Sequence, residues 1–265
     1  MSEVDLGDVR IHVEEHGQGQ PLVLVHGLGT HSGLWKHQEA EFSSGHRLIT
    51  LDLRGFGSSS KPSAPGSYSV EVLAQDVAGV IRKLGLSRVH LLGASMGGFI
   101  AQVIGLEHPE LVRSLVLCHT GPRMSIPEDI MASRLVSLDA TPMSDYGKLV
   151  AGQALASDPD PRVFEWLAEM IGNNDKRSYR QVLIEGLRDF DIADRVGEIA
   201  KPTLVIVGDQ DRVIPPEEGG ELARRIPGAE IVTLRRVGHI GYAEQPERFN
   251  GAVLGFLRGL VAEQA

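Results

Sequence analysis

The chain has 265 residues, 42% hydrophobic and 23% charged, which suits one large α/β domain or a core carrying an insertion. A net charge of −9 leaves no basic excess to neutralise phosphates, which argues against a nucleic-acid partner. The single cysteine, Cys118, excludes an intrachain disulfide, and no apolar stretch approaches the ~20 residues of a membrane helix.

The start, Met1-Ser2-Glu3-Val4-Asp5, is acidic where a secretory signal needs basic residues and an apolar run, so the expectation is a cytoplasmic protein without membrane association. Val9 to Glu15 alternates apolar and polar residues, as a half-solvated strand does. Gly17 to Pro21 reads as a turn. Leu22–Val25, Leu48–Leu51, Val89–Leu92, Leu115–Leu117 and Leu204–Val207 are short apolar runs of the kind buried on both faces of a parallel sheet. Ile231–Leu234 reads as a last strand.

Helical periodicity fills the spaces between these runs. Val70 to Leu84 places apolar residues at 3.6-residue spacing, with Ser69 as N-cap and Gly85 as stop. Met96–Leu106 and Phe249–Val261 read the same way. Strands alternating with helices predict βαβ units and a mostly parallel sheet flanked by helices. From Pro122 to Arg195 the alternation stops and no buried-strand run is evident, although Asp160-Pro161 opens a helix over Val163–Ile171. Residues 1–121 and 196–265 are therefore read as an α/β core, and 122–195 as a helical lid over the carboxyl ends of the strands.

Four short motifs carry chemistry. Gly93-Ala94-Ser95-Met96-Gly97 follows a predicted strand and opens a predicted helix, the context of a G-x-S-x-G nucleophile elbow. His26-Gly27-Leu28-Gly29 follows the strand Leu22–Val25, where a backbone amide could join that of Met96 in holding an oxyanion; Leu28 is the expected second donor. His26 itself is expected to be structural. Gly208-Asp209-Gln210-Asp211 follows another strand; Asp211 is favoured as the carboxylate partner of a histidine, and Asp209 as a residue that shapes the turn. Val237-Gly238-His239-Ile240 follows the last strand, and His239 is singled out from ten histidines by that position. Ser95, Asp211 and His239 occur in that order, at sequence separations of 116 and then 28.

With these motifs the chain resembles the α/β-hydrolase superfamily, over essentially its whole length. Asp52-Leu53-Arg54-Gly55-Phe56-Gly57-Ser58 resembles an architectural loop of that superfamily. The resemblance implies an α/β-hydrolase fold and a Ser95–His239–Asp211 triad. A serine nucleophile departs from the aspartate of haloalkane dehalogenases and epoxide hydrolases. It departs equally from the cysteine of dienelactone hydrolases, Cys118 being expected in a strand, far from the elbow. Leu28-Gly29 departs from the bulky residue or proline of the haloperoxidase-like esterases.

Val25-His26-Gly27-Leu28-Gly29-Thr30, Trp35 and Glu244-Gln245-Pro246 are similar to the 3-oxoadipate enol-lactonase group, which implies cleavage of an ester or lactone. The C–C hydrolases of meta-cleavage products are the alternative, from which Gly93 and Ile240 depart in place of a serine and a tryptophan. A small-molecule receptor that keeps the triad is a second alternative. Gly27, Trp166, Met124 and Ile240 are expected to touch the substrate, and Arg123, Arg134, Arg162 or Arg180 could meet a substrate carboxylate. No cofactor is implied, no histidine and acid cluster appears at metal-ligand spacing, and a homo-oligomer is left open.

Overall fold

A computed structural model describes residues 2–262. Eight strands form one sheet in the order β1-β2-β4-β3-β5-β6-β9-β10. They are β1 (Ser2–Asp5), β2 (Arg10–His16), β3 (Gln20–Val25), β4 (His46–Leu51), β5 (Val89–Ala94), β6 (Val112–Cys118), β9 (Thr203–Gly208) and β10 (Glu230–Leu234). The pairs β1–β2 and β2–β4 are antiparallel, and every other neighbour is parallel. The apolar runs of β3, β4, β5, β6 and β9 are buried because helices cover both faces of their sheet.

Helix α1 (Glu39–Ser43) precedes β4, and α2 (Val70–Lys83) and α3 (Met96–Glu107) flank β5. The Ser69 side chain accepts the Val72 amide as an N-cap, and Gly85 takes φ +67° just past the helix end. Helix α8 (Pro216–Arg225) lies between β9 and β10. Helices α9 (Gly241–Glu244) and α10 (Pro246–Ala262) follow the last strand. The chain is an α/β hydrolase in fold, with no helix among the described residues long and apolar enough to cross a membrane.

Between β6 and β9 lie α4 (Glu128–Ala140), α5 (Met143–Ala154), α6 (Pro161–Gly172) and α7 (Lys176–Val182). The Asp160 side chain caps α6 by accepting the Arg162 amide, with Pro161 in the first turn. A π-helical turn, Leu183–Leu187, continues α7. This region also contains strands where none was expected: β7 (Arg123–Ser125) pairs antiparallel with β8 (Asp189–Asp191) and draws the two ends of the insertion together. Three residues are too few to show a period in sequence. Strand β1 was likewise unread, since only Val4 of its four residues is buried.

The architectural loop after β4 is held by buried polar bonds. Asp52 accepts the Ser32 and Ser58 amides at 2.7 and 2.8 Å, and burial of Arg54 is offset by its paired bonds to Asp76 at 2.5 and 2.6 Å. This agrees with the structural role expected for that loop.

Candidate active site

Ser95 sits between β5 and α3 with φ +54° and ψ −120°, a conformation that an L-residue adopts only when its surroundings impose it. Those surroundings are backbone. A Cβ on Gly93 would lie 2.1 Å from Gly97 O, and one on Gly97 would lie 2.2 Å from Val25 O. Glycine at both positions lets the strand and helix close to the angle that lifts Ser95 out of the sheet. Cys118 is buried at the end of β6, as expected of a packed residue, but it is not far from the elbow: its carbonyl accepts the Ser95 amide at 2.9 Å, because β6 pairs directly with β5.

The oxyanion loop packs against this turn. A Cβ on Gly27 would lie 3.0 Å from Ser95 Cβ. Among the described residues, neither the Leu28 nor the Met96 amide donates within the turn and loop hydrogen-bond network. His26 is fully buried, its Nε2 accepts the Leu53 amide at 2.9 Å, and burial pulls its pKa down to about 4. It is therefore a neutral structural residue.

The two aspartates after β9 separate by role. Asp209 Oδ1 accepts the Arg236 and Val237 amides at 2.6 and 3.3 Å, which pins its turn to the turn after β10. Asp211 Oδ1 accepts the Val213 and Ile214 amides at 2.9 and 3.0 Å, and its Oδ2 accepts from His239 Nδ1 at 2.7 Å. Burial alone would raise the Asp211 carboxyl; the imidazoles of His239 and His119 outweigh it and hold the group well below the usual carboxylate range.

His119 had no role in the sequence reading. Its side chain is fully buried and its Nδ1 lies 3.5 Å from Asp211 Oδ2. It immediately follows the last residue of β6, so its position at a strand's carboxyl end was the available signal. The histidine and acid cluster missing from the sequence spacing thus forms in space, one ligand-type atom each from His119, Asp211 and His239 lying within 4.8 Å of one another. Within it Asp211 and His239 are already hydrogen-bonded to each other, and His119 Nδ1 stands 3.5 Å from the same carboxylate oxygen.

Ser95 and His239 open into one cavity of about 540 Å³ between the strand ends and the insertion. Leu28, Met124 and Ile240 line it, together with Phe99, Tyr146, Leu167, Tyr179, Leu183 and Leu187. Gly27 stays behind the wall against Ser95. Trp166 does not reach the cavity: its ring lies under Lys36 Nζ, 4.0 Å from the centroid, and beside His37. The expected substrate contact of Trp166 is not formed with this cavity; the indole covers the junction of α6 with the core.

The arginines also part ways. Arg123 pairs with Glu218 and Glu221, Arg162 with Asp160 and Arg180 with Asp139. Arg134 alone of the four lines the cavity, and among the described residues it has no acidic partner. Arg212 also lines it, but its guanidinium donates to the Gly152 and Leu155 carbonyls, both at 2.9 Å. None of the described lining residues is acidic.

This geometry agrees with the comparisons. The profile of the alpha/beta hydrolase fold family matches residues 20–144, and that of TAP-like proteins matches residues 188–262. A 2-hydroxy-6-oxononadienedioate/2-hydroxy-6-oxononatrienedioate hydrolase from Burkholderia vietnamiensis is 33% identical, over 95% of this chain and 92% of its own length. The chain belongs to the alpha/beta-hydrolase family. As a hydrolase of this family it is similar in structure to an enol-lactonase from Burkholderia xenovorans LB400, with a TM-score of 0.90 and 28% identity, covering 97% of this chain and all of that one. A thermophilic esterase from Thermogutta terrifontis superposes with a TM-score of 0.87 at 28% identity, covering 98% of this chain and 99% of that chain.

Proposed function

We propose that this hydrolase uses Ser95 as a nucleophile to split the C–C bond of an acyclic 2-hydroxy-6-oxo dienoate, with a substrate carboxylate directed at Arg134. The observation that carries this reading is one cavity that, among the described residues, holds Ser95, His239 and an arginine without an acidic partner and has no acid in its lining. The relatives named for cleavage of nine-carbon 2-hydroxy-6-oxo diacids support it. It replaces the ester or lactone expected from the sequence as the leading assignment.

In this reading the substrate reacts as its 2,6-dioxo tautomer. His239 takes the proton of Ser95 as Oγ adds to the 6-oxo carbon, and the Leu28 and Met96 amides hold the oxyanion. Collapse breaks the C–C bond and expels a dienolate stabilised by the 2-oxo group, which takes a proton from His239. Water, deprotonated by His239, then releases the acid from Ser95. Asp211 holds the imidazole tautomer throughout.

Ester or lactone hydrolysis on the same triad is the second reading. It is favoured by Gly93 and Ile240, by the apolar wall around Ser95, and by the enol-lactonase and esterase likenesses. The two separate by substrate competition. A 2-hydroxy-6-oxo dienoate should be cleaved, with loss of its conjugated absorption, at a kcat/KM at least about a hundredfold above that for p-nitrophenyl acetate. Ester turnover without dienoate cleavage gives the second reading the place of the first. Ser95→Ala should abolish both reactions, and a variant that keeps turnover sinks the serine mechanism altogether. Turnover of barely one per bound substrate would assign the chain a receptor role.

A further inference from the structure

We propose that His119 is a positioning residue of the triad, tying the Asp211 loop to the His239 loop and fixing the carboxylate oxygen that His239 uses. This rests on the triad assigned above and adds to it a fourth side chain from a fourth strand, β6. The geometry begins with Gly241, two residues beyond His239, whose amide donates to His119 Nε2 at 3.2 Å. A backbone N–H can only donate, so Nε2 carries the lone pair and Nδ1 carries the hydrogen. That Nδ1 makes no hydrogen bond among the described residues, and it faces Asp211 Oδ2 at 3.5 Å, longer than an ordinary N–H···O bond and within reach of a small closure. One imidazole therefore touches both triad loops, and its tautomer is dictated by one of them.

The fit around it is close. A Cβ on residue 241 would lie 2.6 Å from His119 Nε2, so glycine is required there. The backbone of His119 takes φ +49° and its amide donates to Ile206 O at 2.8 Å, which fixes the ring's origin between β6 and β9. The ring meets His239 and Tyr242 edge-on at centroid distances of 5.9 and 6.0 Å.

Burial lowers the His119 pKa despite the neighbouring carboxylate, so the ring faces Oδ2 as a neutral imidazole rather than as a charge. The other titratable groups nearby are the Cys118 thiol and Tyr242 phenol, both pushed up by burial and so neutral, and Glu244, whose carboxyl burial also raises. On this proposal the His119 Nδ1–H closes on Oδ2, shares it with His239 and draws charge away from the His239 contact. Its removal should leave the carboxylate a stronger partner for imidazolium, and His239 should titrate at a higher pH.

The test uses the full chain with His119→Leu, His119→Asn and His119→Gln. Thermal melting is measured for each. The His239 titration and its Nδ1–H resonance are followed by NMR, which needs no substrate, and p-nitrophenyl acetate reports kcat/KM against pH. Asparagine places an amide near Nδ1 and tolerates the positive φ, whereas glutamine reaches toward Gly241 instead. His119→Leu and His119→Gln should raise the His239 titration by about half a pH unit and lower kcat/KM roughly tenfold. His119→Asn should stay near wild type in both. An unmoved titration and resonance in His119→Leu overturns the proposal. So does an equal loss of rate in all three variants that follows melting temperature alone. Should leucine prevent folding, the order of asparagine and glutamine decides, and glutamine nearer to wild type overturns it. Turnover by Ser95→Ala would instead remove the triad reading and leave the NMR result to be read for the Asp211–His239 pair alone.

Discussion

Glu244 Oε2 accepts the Ala156 amide at 2.9 Å, while Oε1 of the same carboxylate accepts the Gly238 and Ile240 amides at 3.0 and 3.3 Å. One half-buried side chain thus fastens the loop on both sides of His239 to the segment that ends α5. The link is doubled elsewhere, since the His239 amide donates to Ala154 O and Ser157 donates to Gln210 Oε1 at 3.1 Å. Glu244→Ala leaves three amides without their acceptor, at a cost of about 3 kcal/mol in stability. Chemical denaturation should show that loss, with kcat falling further than the folded fraction because His239 loses its framing. Wild-type stability in this variant would mean that water replaces the carboxylate at no cost.

Much of this site was legible in the chain because its signals are local. Ser95 stands in a strand–turn–helix context that only glycine neighbours permit. Asp209 and Asp211 divide the roles of turn and triad as their order in the loop suggested. His119 was not legible in this way. Its value comes from β6 lying between β5 and β9, so that a residue leaving β6 meets the loop leaving β9, and no spacing within either segment records that adjacency. Trp166 failed for the opposite reason. Large aromatic area marks buried surface of any kind, and here that surface lies against Lys36 and His37. Arg134 could not be told from Arg123, Arg162 and Arg180 until their acidic partners were in place.

Buried histidines, His26 and His90 among them, shape the response to acid. Burial pulls both His26 and His90 from 6.5 down to about 4, and His90 Nδ1 is paired with Ser114 Oγ at 2.8 Å. The unfolded chain binds their protons near 6.5 and the folded chain does not, so their contribution is complete above pH 6.5. It is lost as pH falls toward 4, at up to about 1.4 kcal/mol per pH unit for each histidine. Urea denaturation at intervals across this window should show the slope, and His90→Gln should remove about half of it. A stability that stays flat from neutrality to the lower limit would show that both rings are protonated in the folded state.

Arg134 gives the most direct reading of substrate charge. It lines the catalytic cavity from α4, where among the described residues no acidic side chain pairs with its guanidinium, while Arg212 is occupied by two carbonyls that hold the end of α5. A guanidinium that meets a carboxylate by two parallel hydrogen bonds discriminates through charge and shape together. Arg134→Gln keeps much of the side-chain bulk and removes the charge. For a carboxylated dienoate, KM should rise roughly tenfold to a hundredfold with little change in kcat, as expected when binding shared by ground and transition states is lost. For p-nitrophenyl acetate, which carries no carboxylate, both constants should stay near wild type. Arg212→Gln should behave differently, lowering stability and affecting the two substrates alike, because its bonds are to the protein. An equal loss on both substrates in Arg134→Gln would place this arginine among the structural contacts of the insertion and leave the cavity without a carboxylate reader.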